Sequence, residues 1–497
     1  MDARQLARIA LLSLLFQPTS VPAKERVLIS TLRGWYTTAL EELAEQYEQM
    51  HPGIDVKINL QPDMNSLSRY YTAQMAVDRA DAPDVVHGNL LGVEENYHGK
   101  RFLAINEYLE RPNPYAGSVV WRDLFDPALL ASLAVDGIQH CVLPLDFCDT
   151  GVFYNLDIFN RYGLAPPDTW DEWLDLSRVL EDKGFIPIAI PATVQDDFTS
   201  MFNNMFEDAC MRNFIPLLMA QPGDWNYVEA NSEYVHDLND RHADRFITIN
   251  PERMARGFLD GTISYELPMF VEAYSQYRRI TPYLGFGFLG TDQTGAYNLF
   301  LTGRAAMWQA GSWRVGSLIR DLREMPGDRS FDWAVFPFPS LSSSQHSIAP
   351  LRGLGGAGHQ FCVVDKNNPA QHDRVVDFLM FLFSPDQTAY LIRRTLEVGE
   401  FIQGVPMVKG AEEQLPEEVL TKLQGFGGRG YAKAGLFHTD EEYRARVRPW
   451  TQLFSLGRLT PEEFLREKQA LTMELMHRMV KRRGYDLDPT TEDTPPW

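Results

Sequence analysis

The sequence predicts an α/β fold built from two domains. Three observations carry that expectation. Strand and helix patterns alternate from Val27 onward. The 497 residues exceed what one core ordinarily organises. No internal repeat, low-complexity tract or Gly/Ser linker divides the chain, so the domains are expected to share short crossovers.

Each element has its own signal. Val27-Leu28-Ile29 reads as a buried strand, followed by the loop Arg33-Gly34-Trp35-Tyr36. Thr38 and Glu41 fit a capping box, and Leu40, Leu43, Ala44 and Tyr47 continue at helical spacing until His51-Pro52-Gly53. Ile54, Val56, Ile58 and Leu60 alternate as a strand with one buried face. A second helix is expected from Ser66 to Ala80, and Val85-Val86 opens the next strand. Thr169 and Glu172 form another capping box ahead of Trp173, Leu176 and Leu180. Gly184 ends that helix before a strand from Ile186 to Ile190. Asn368 and Pro369 start a helix that runs through Phe383. Residues 192–300 mix aromatics, Asn and Asp with helical signals, and the C-terminal part reads as helical and charged.

Composition excludes several classes. Hydrophobic residues make up 44% and charged residues 23%, a globular balance. With 46 Lys and Arg against 67 Asp and Glu the net charge is -21, which argues against binding nucleic acid. Arg4 and Arg8, the apolar run Ile9–Phe16, and Val21 and Ala23 around a cut give residues 1–23 a signal-peptide pattern. That run is far shorter than the roughly 20 residues of a spanning helix. A periplasmic location is therefore expected, without a lipid anchor, because no Cys stands near the cut. The four cysteines (Cys141, Cys148, Cys210, Cys362) have no metal-ligand spacing. Either a Cys141–Cys148 disulfide or, more plainly, buried free thiols would account for them.

Enzyme signatures are absent: no GxSxG, HExxH, P-loop or GxGxxG opening a helix. The glycine-rich stretch from Gly353 to Gly358 leads into Phe361-Cys362-Val363-Val364, a strand, so no phosphate cradle is expected there. Aromatic residues beside polar ones in loops stand out instead, at Trp35, Trp225, Tyr227, Trp308 and Trp313. A sugar needs that mixture, a flat ring for its CH face and hydrogen-bonding groups for its hydroxyls. Aromatics are 12% of the chain, so most of them must serve the core.

Four stretches in order resemble a known family. They are Ala82-Pro83-Asp84-Val85-Val86; Gly151–Phe159 with Gly163-Leu164 and Pro166–Glu172; Leu301–Met307 with Gly311-Ser312-Trp313; and Phe378–Gln387 with Gly404-Val405-Pro406. Together they are similar to the family 1 extracellular solute-binding proteins, the maltose-binding-protein-like carbohydrate-binding components of ABC importers. The resemblance covers about residues 25–410.

The resemblance implies a type II two-lobed periplasmic-binding-protein fold, each lobe a mixed β-sheet flanked by helices. Lobe one would comprise 24–138 and 356–402, lobe two 139–355 and 403–497. Crossovers are expected near 137–142, 351–356 and 400–405. It also implies a sugar ligand in the interlobe cleft, permease subunits as partners, a monomer, no cofactor and no enzymatic activity. Carried over by position, Trp35, Asn89, Asp149, Trp313, Gly355, Gly356 and Arg448 would contact the ligand, with Asp146 and Arg352 near the site. The stretch 192–290 and the tail beyond 410 depart from the smaller members. Two other readings stay open: an enzyme acting on glycans that uses the same clamp, and a binding protein for a polyamine, amino acid or metal chelate.

Overall fold

A computed structural model describes residues 24–488 apart from 89–90, 92–95, 98–99, 136–138, 194–197, 286, 342–345, 354 and 427–440. The expected signal segment, 1–23, lies outside the described residues.

The alternation seen in the sequence builds the first lobe. β1 (Glu25–Leu32) buries Val27 and Ile29, α1 (Thr37–Met50) buries Leu40, Leu43 and Tyr47, and β2 (Ile54–Gln61) returns parallel to β1. α2 (Met64–Val77) starts on an Asp63 cap and leads to β3 (Val85–His87), parallel to β1 on its other side. Helical crossovers of this kind are what allow parallel neighbours. The expected Thr38–Glu41 capping box is not made. Tyr36 is the N-cap, with a left-handed φ of 59° and no side-chain cap. Glu400, more than three hundred residues away in the chain, accepts from Thr38 N (3.1 Å) and Thr38 Oγ1 (2.8 Å) instead. A carboxylate at a helix N-terminus satisfies orphan N–H groups and suits the dipole whichever part of the chain supplies it.

β4 (Leu143–Pro144) still belongs to this first sheet. β5 (Asp146–Cys148) does not, and β6 (Thr150–Asn155) enters a second sheet. The first crossover thus lies beyond the expected 137–142, because β4 remains paired. In the second lobe Asn155 caps α3 (Leu156–Tyr162), and Thr169 and Glu172 make the expected capping box on α4 (Trp170–Asp182). Then come β7 (Ile186–Ala189), α5 (Phe198–Met211), α6 (Pro268–Ile280), β8 (Ala305–Gly311), α7 (Val315–Glu324) and β9 (Trp333–Phe336). β10 (Gly356–Ala357) leads back to β11 (Gln360–Val363) in the first sheet, with α8 (Pro369–Leu382) and α9 (Pro385–Glu397) behind it. β12 (Val405–Pro406) returns to the second lobe's α10 (Glu417–Gln424), α11 (Glu441–Ser455) and α12 (Pro461–Arg483).

The sheet orders are β2-β1-β3-β11-β4 for the first lobe and β7-β8-β6-β9 for the second. Between them the three crossing strands form a sheet of their own, β10-β5-β12, entirely antiparallel. Strands β6 and β8 are buried along their whole length, since helices cover both faces. Phe153 and Trp308 join the core that includes Val27 and Leu40, while Val152 and Tyr154 face Trp170, Trp173 and Phe206. All four cysteines are free thiols, and Cys148 donates to Gly356 O at 3.4 Å.

Candidate functional site

The crossover sheet gathers most of the polar groups singled out in the sequence. Asp146 opens it and is fully buried. Its carboxylate accepts from His359 N (2.7 Å), Gln403 N (2.9 Å), Gly404 N (3.2 Å) and the Tyr36 hydroxyl. Gly358 and Gly404 are required here: a Cβ on the first would collide with Asp146 Oδ1, on the second with Phe147 O. Burial pushes the Asp146 carboxyl up to about 6, against the pull of its hydrogen bonds.

Asp149 stands three residues on, where the chain enters β6. Its Oδ1 accepts from Thr150 N at 2.7 Å. Ser312 Oγ accepts from Asp149 N (3.1 Å) and donates to Gln403 O (2.6 Å), so one hydroxyl joins the first crossover, β8 and the third crossover. Gly353 packs against the carboxyl so closely that a Cβ would strike Asp149 Oδ1 and Thr150 O. Burial raises the Asp149 carboxyl well above the usual range, and the positive charges of Arg352 and Arg241 oppose it. A cavity of about 180 Å³ opens beside it, lined by Phe147, Asp149, Ser312, Glu412, Gln424 and Phe426 among others. Two carboxyl groups, an amide, a hydroxyl and two aromatic rings make a mixed lining suited to a polyhydroxylated ring.

The other expected site residues are distributed around this centre. Trp313 follows Ser312 and is half-buried, its ring lying across Gly311, where no Cβ would fit. Trp35 is half-buried on the first lobe, bridged to Phe401 just before the third crossover, with ring centroids 5.3 Å apart. Gly356 pairs with Cys148, and a Cβ there would meet nothing within 4 Å; Gly355 precedes it, half-buried. Arg448 sits half-buried on α11, which packs on α5 and α12. Asn89 lies outside the described residues.

Arg352, expected near the site, is a structural clamp. All five guanidinium N–H groups are engaged, by Asp208 (2.8 and 2.8 Å), Asp244 (2.8 and 2.9 Å) and Arg241 O (2.8 Å). The clamp anchors the segment before β10 to α5 and to the loop around 241–244, part of the stretch left unassigned in the sequence. Tyr36, His359 and Gln403 were missed because their roles depend on partners far along the chain. The only local trace is the glycine beside two of them, Gly358 and Gly404. Among the described residues no group of three metal-ligating side chains is assembled, and no helix is long and apolar enough to cross a membrane.

Two mixed sheets joined through a three-stranded crossover sheet make a two-lobed α/β fold. Solved structures share this fold. A chitin oligosaccharide binding protein superposes with a TM-score of 0.60 at 19% identity, covering 89% of this chain and 96% of that one. RafE in complex with raffinose gives 0.56 at 17%, covering 91% and 99%. The cyclic alpha-maltosyl-1,6-maltose binding protein from Arthrobacter globiformis gives 0.61 at 15%, covering 92% and 100%. Residues 34–206 match the family described as bacterial extracellular solute-binding protein. The melibiose/raffinose/stachyose-binding protein MelE of Bacillus subtilis (strain 168) is 25% identical over 142 residues. That alignment spans 29% of either chain, so this chain matches less than a third of the length of that relative. The family resemblance drawn from the motifs therefore holds at residues 34–206, and the likeness of fold extends over about nine-tenths of the chain.

Proposed function

We propose that this chain is the substrate-binding component of an ABC-type sugar importer, capturing a mono- or oligosaccharide between its lobes and delivering it to the membrane permease. The observation that carries this reading is the crossover sheet: the chain passes between the large sheets through three short strands, with aromatic and carboxyl groups at their ends. Such links let lobes turn as bodies. A ligand that touches both lobes makes all its contacts only when they close, and so shifts the population toward the closed form. The relatives' sugars, from raffinose to chitin oligosaccharides, favour a carbohydrate over other solutes.

In this reading lobe one, expected at 24–138 with 356–402, extends to the β4–β5 junction, and lobe two, expected at 139–355 with 403–497, begins there. Trp35, Asn89, Asp149, Trp313, Gly355, Gly356 and Arg448 contact the ligand. The protein is exported by residues 1–23, works as a periplasmic monomer, and binds without chemical conversion.

The test is a thermal-shift screen of the chain from Lys24 against mono- and oligosaccharides, with amino acids and polyamines as controls. A ligand at 100 times its dissociation constant stabilises the fold by about 2.7 kcal/mol. A shift with sugars alone is expected. A shift with a control solute alone would refute the carbohydrate assignment, and release of a cleaved product would refute the non-enzymatic one.

A further inference from the structure

The Asp146 carboxylate is where all three crossovers meet. It belongs to β5, the first. His359, two residues past β10, donates its N–H to Oδ1, and Gln403 and Gly404, leading into β12, donate theirs to Oδ2. The Tyr36 hydroxyl adds a bond from the first lobe, and Gln403 N also lies 2.9 Å from that phenol oxygen. Every group facing the carboxylate is a donor. An ionised carboxylate satisfies them all, whereas a protonated one turns a fifth donor toward donors and finds an acceptor only if the Tyr36 hydroxyl rotates.

The same node touches both faces of the site. Tyr36 adjoins Trp35, Asp149 is three residues beyond Asp146 on the same run of chain, and Gln403 O takes the Ser312 hydroxyl that also holds Asp149 N. We propose that Asp146 is a positioning residue for ligand capture, its charged carboxylate pinning the three crossovers into one hinge so that Trp35 and Asp149 move as the lobes turn. The ligand part of this proposal rests on the sugar-capture reading above; the hinge part does not.

The titratable groups around the carboxylate are few. Tyr36 comes from the first lobe, and burial, reinforced by Asp146, raises its hydroxyl. Cys148 is on the same strand, its thiol also raised by burial. His359 comes from beyond the second crossover and stacks on His87 of β3, ring centroids 4.1 Å apart. Burial lowers both imidazoles, His87 to about 4, and the neighbouring His87 lowers His359 further. The third crossover contributes only backbone N–H groups to the carboxylate. Because the native carboxyl titrates above the ordinary range, it takes up its proton while the chain is still folded, and this group by itself does not unfold the protein on acidification.

The experiment is hydrogen exchange on the unliganded chain at about pH 7.5 and about pH 5, corrected for intrinsic rates. The amides of His359, Gln403 and Gly404 are expected to be protected at the higher pH. At the lower pH they should lose protection together, by about tenfold or more, while β1 amides keep theirs. In Asp146→Asn the three should be open at both. Tyr36→Phe removes one donor, and should move the loss of protection to higher pH. Protection unchanged between the two pH values, or three amides responding independently, would overturn the pin. In the ligand arm, Asp146→Asn should weaken sugar binding about tenfold at pH 7.5 and flatten part of its pH dependence, any remainder belonging to Asp149. Unchanged affinity would overturn the positioning role. If the wild-type chain binds no sugar, the capture reading falls and the exchange arm still decides the hinge.

Discussion

The two lobes are held together differently. Around the first sheet the core is mainly aliphatic and aromatic, with Val27, Ile29, Leu40, Val56 and Phe361 facing inward from elements that follow one another at short spacing or pair directly. The first lobe buries one charge pair, Lys366 with Asp84 at 2.7 Å, whereas the second lobe, beside its own apolar core, buries larger groups of charges drawn from distant segments. Lys468 of α12 is inaccessible and donates to Glu207 of α5 at 2.6 Å, a separation of 261 residues, and to the Tyr274 hydroxyl of α6 at 3.0 Å. Burial lowers the lysine's pKa and the Glu207 carboxylate opposes the shift. The Arg352 clamp is the second case. The contrast teaches that the unfamiliar parts of the chain, 192–290 and the C-terminal helices, add buried ion pairs to periodic apolar faces such as Phe270, Ala273, Tyr274 and Tyr277. Desolvating a charge is costly unless it is paired, so losing one partner weighs more than losing a methyl group.

The sharpest way to break this comparison is to strand a charge. Lys468→Ala leaves Glu207 buried without its cation and is expected to destabilise the chain by about 3–5 kcal/mol in urea unfolding. Lys468→Met together with Glu207→Gln should recover most of that loss; failure to recover it would mean the pair is more than a fastening. Leu40→Ala, the aliphatic counterpart in the first lobe, is expected to cost about 2–4 kcal/mol by the same measurement. A larger loss there than for Lys468→Ala would reverse the ranking of the lobes. Trp313→Ala should weaken sugar binding about tenfold, near 1.4 kcal/mol by calorimetry, with little change in melting temperature. An equal affinity would remove Trp313 from the site. The smallest effect is expected for Asn155→Ala, which removes the cap accepting from Ile158 N at 3.0 Å. About 1 kcal/mol should be lost in thermal unfolding.

The contrast also marks what could be read from the residues. β1, α1, β2, α2 and β3 were legible because periodicity and neighbouring turn residues decide them, and the Thr169–Glu172 box because both partners lie within one turn. The Thr38 box failed for the complementary reason: Glu400, a long-range carboxylate, occupies the place that Glu41 would take locally. Asp149, Ser312 and Trp313 were placed by resemblance, and the structure brings Asp149 and Ser312 into contact. Asp146 and Arg352 stood near the site in the sequence, but their partners, Tyr36, His359 and Gln403 for one and Asp208 and Asp244 for the other, leave no local pattern. Burial of a charged group and the identity of its counter-group are properties of the fold, and only glycines forced by close approach hint at them beforehand.

The placement of β11 has a consequence for how the chain is made. This strand lies between β3 and β4 and pairs with both, yet it is encoded more than two hundred residues later than either. A nascent chain therefore holds the first sheet with its middle missing. At about 5–20 residues per second, the gap stays open for roughly 10–40 s of synthesis. Throughout that interval the edges of β3 and β4 lack the strand that pairs them, which makes those two edges the first places where the chain would mispair.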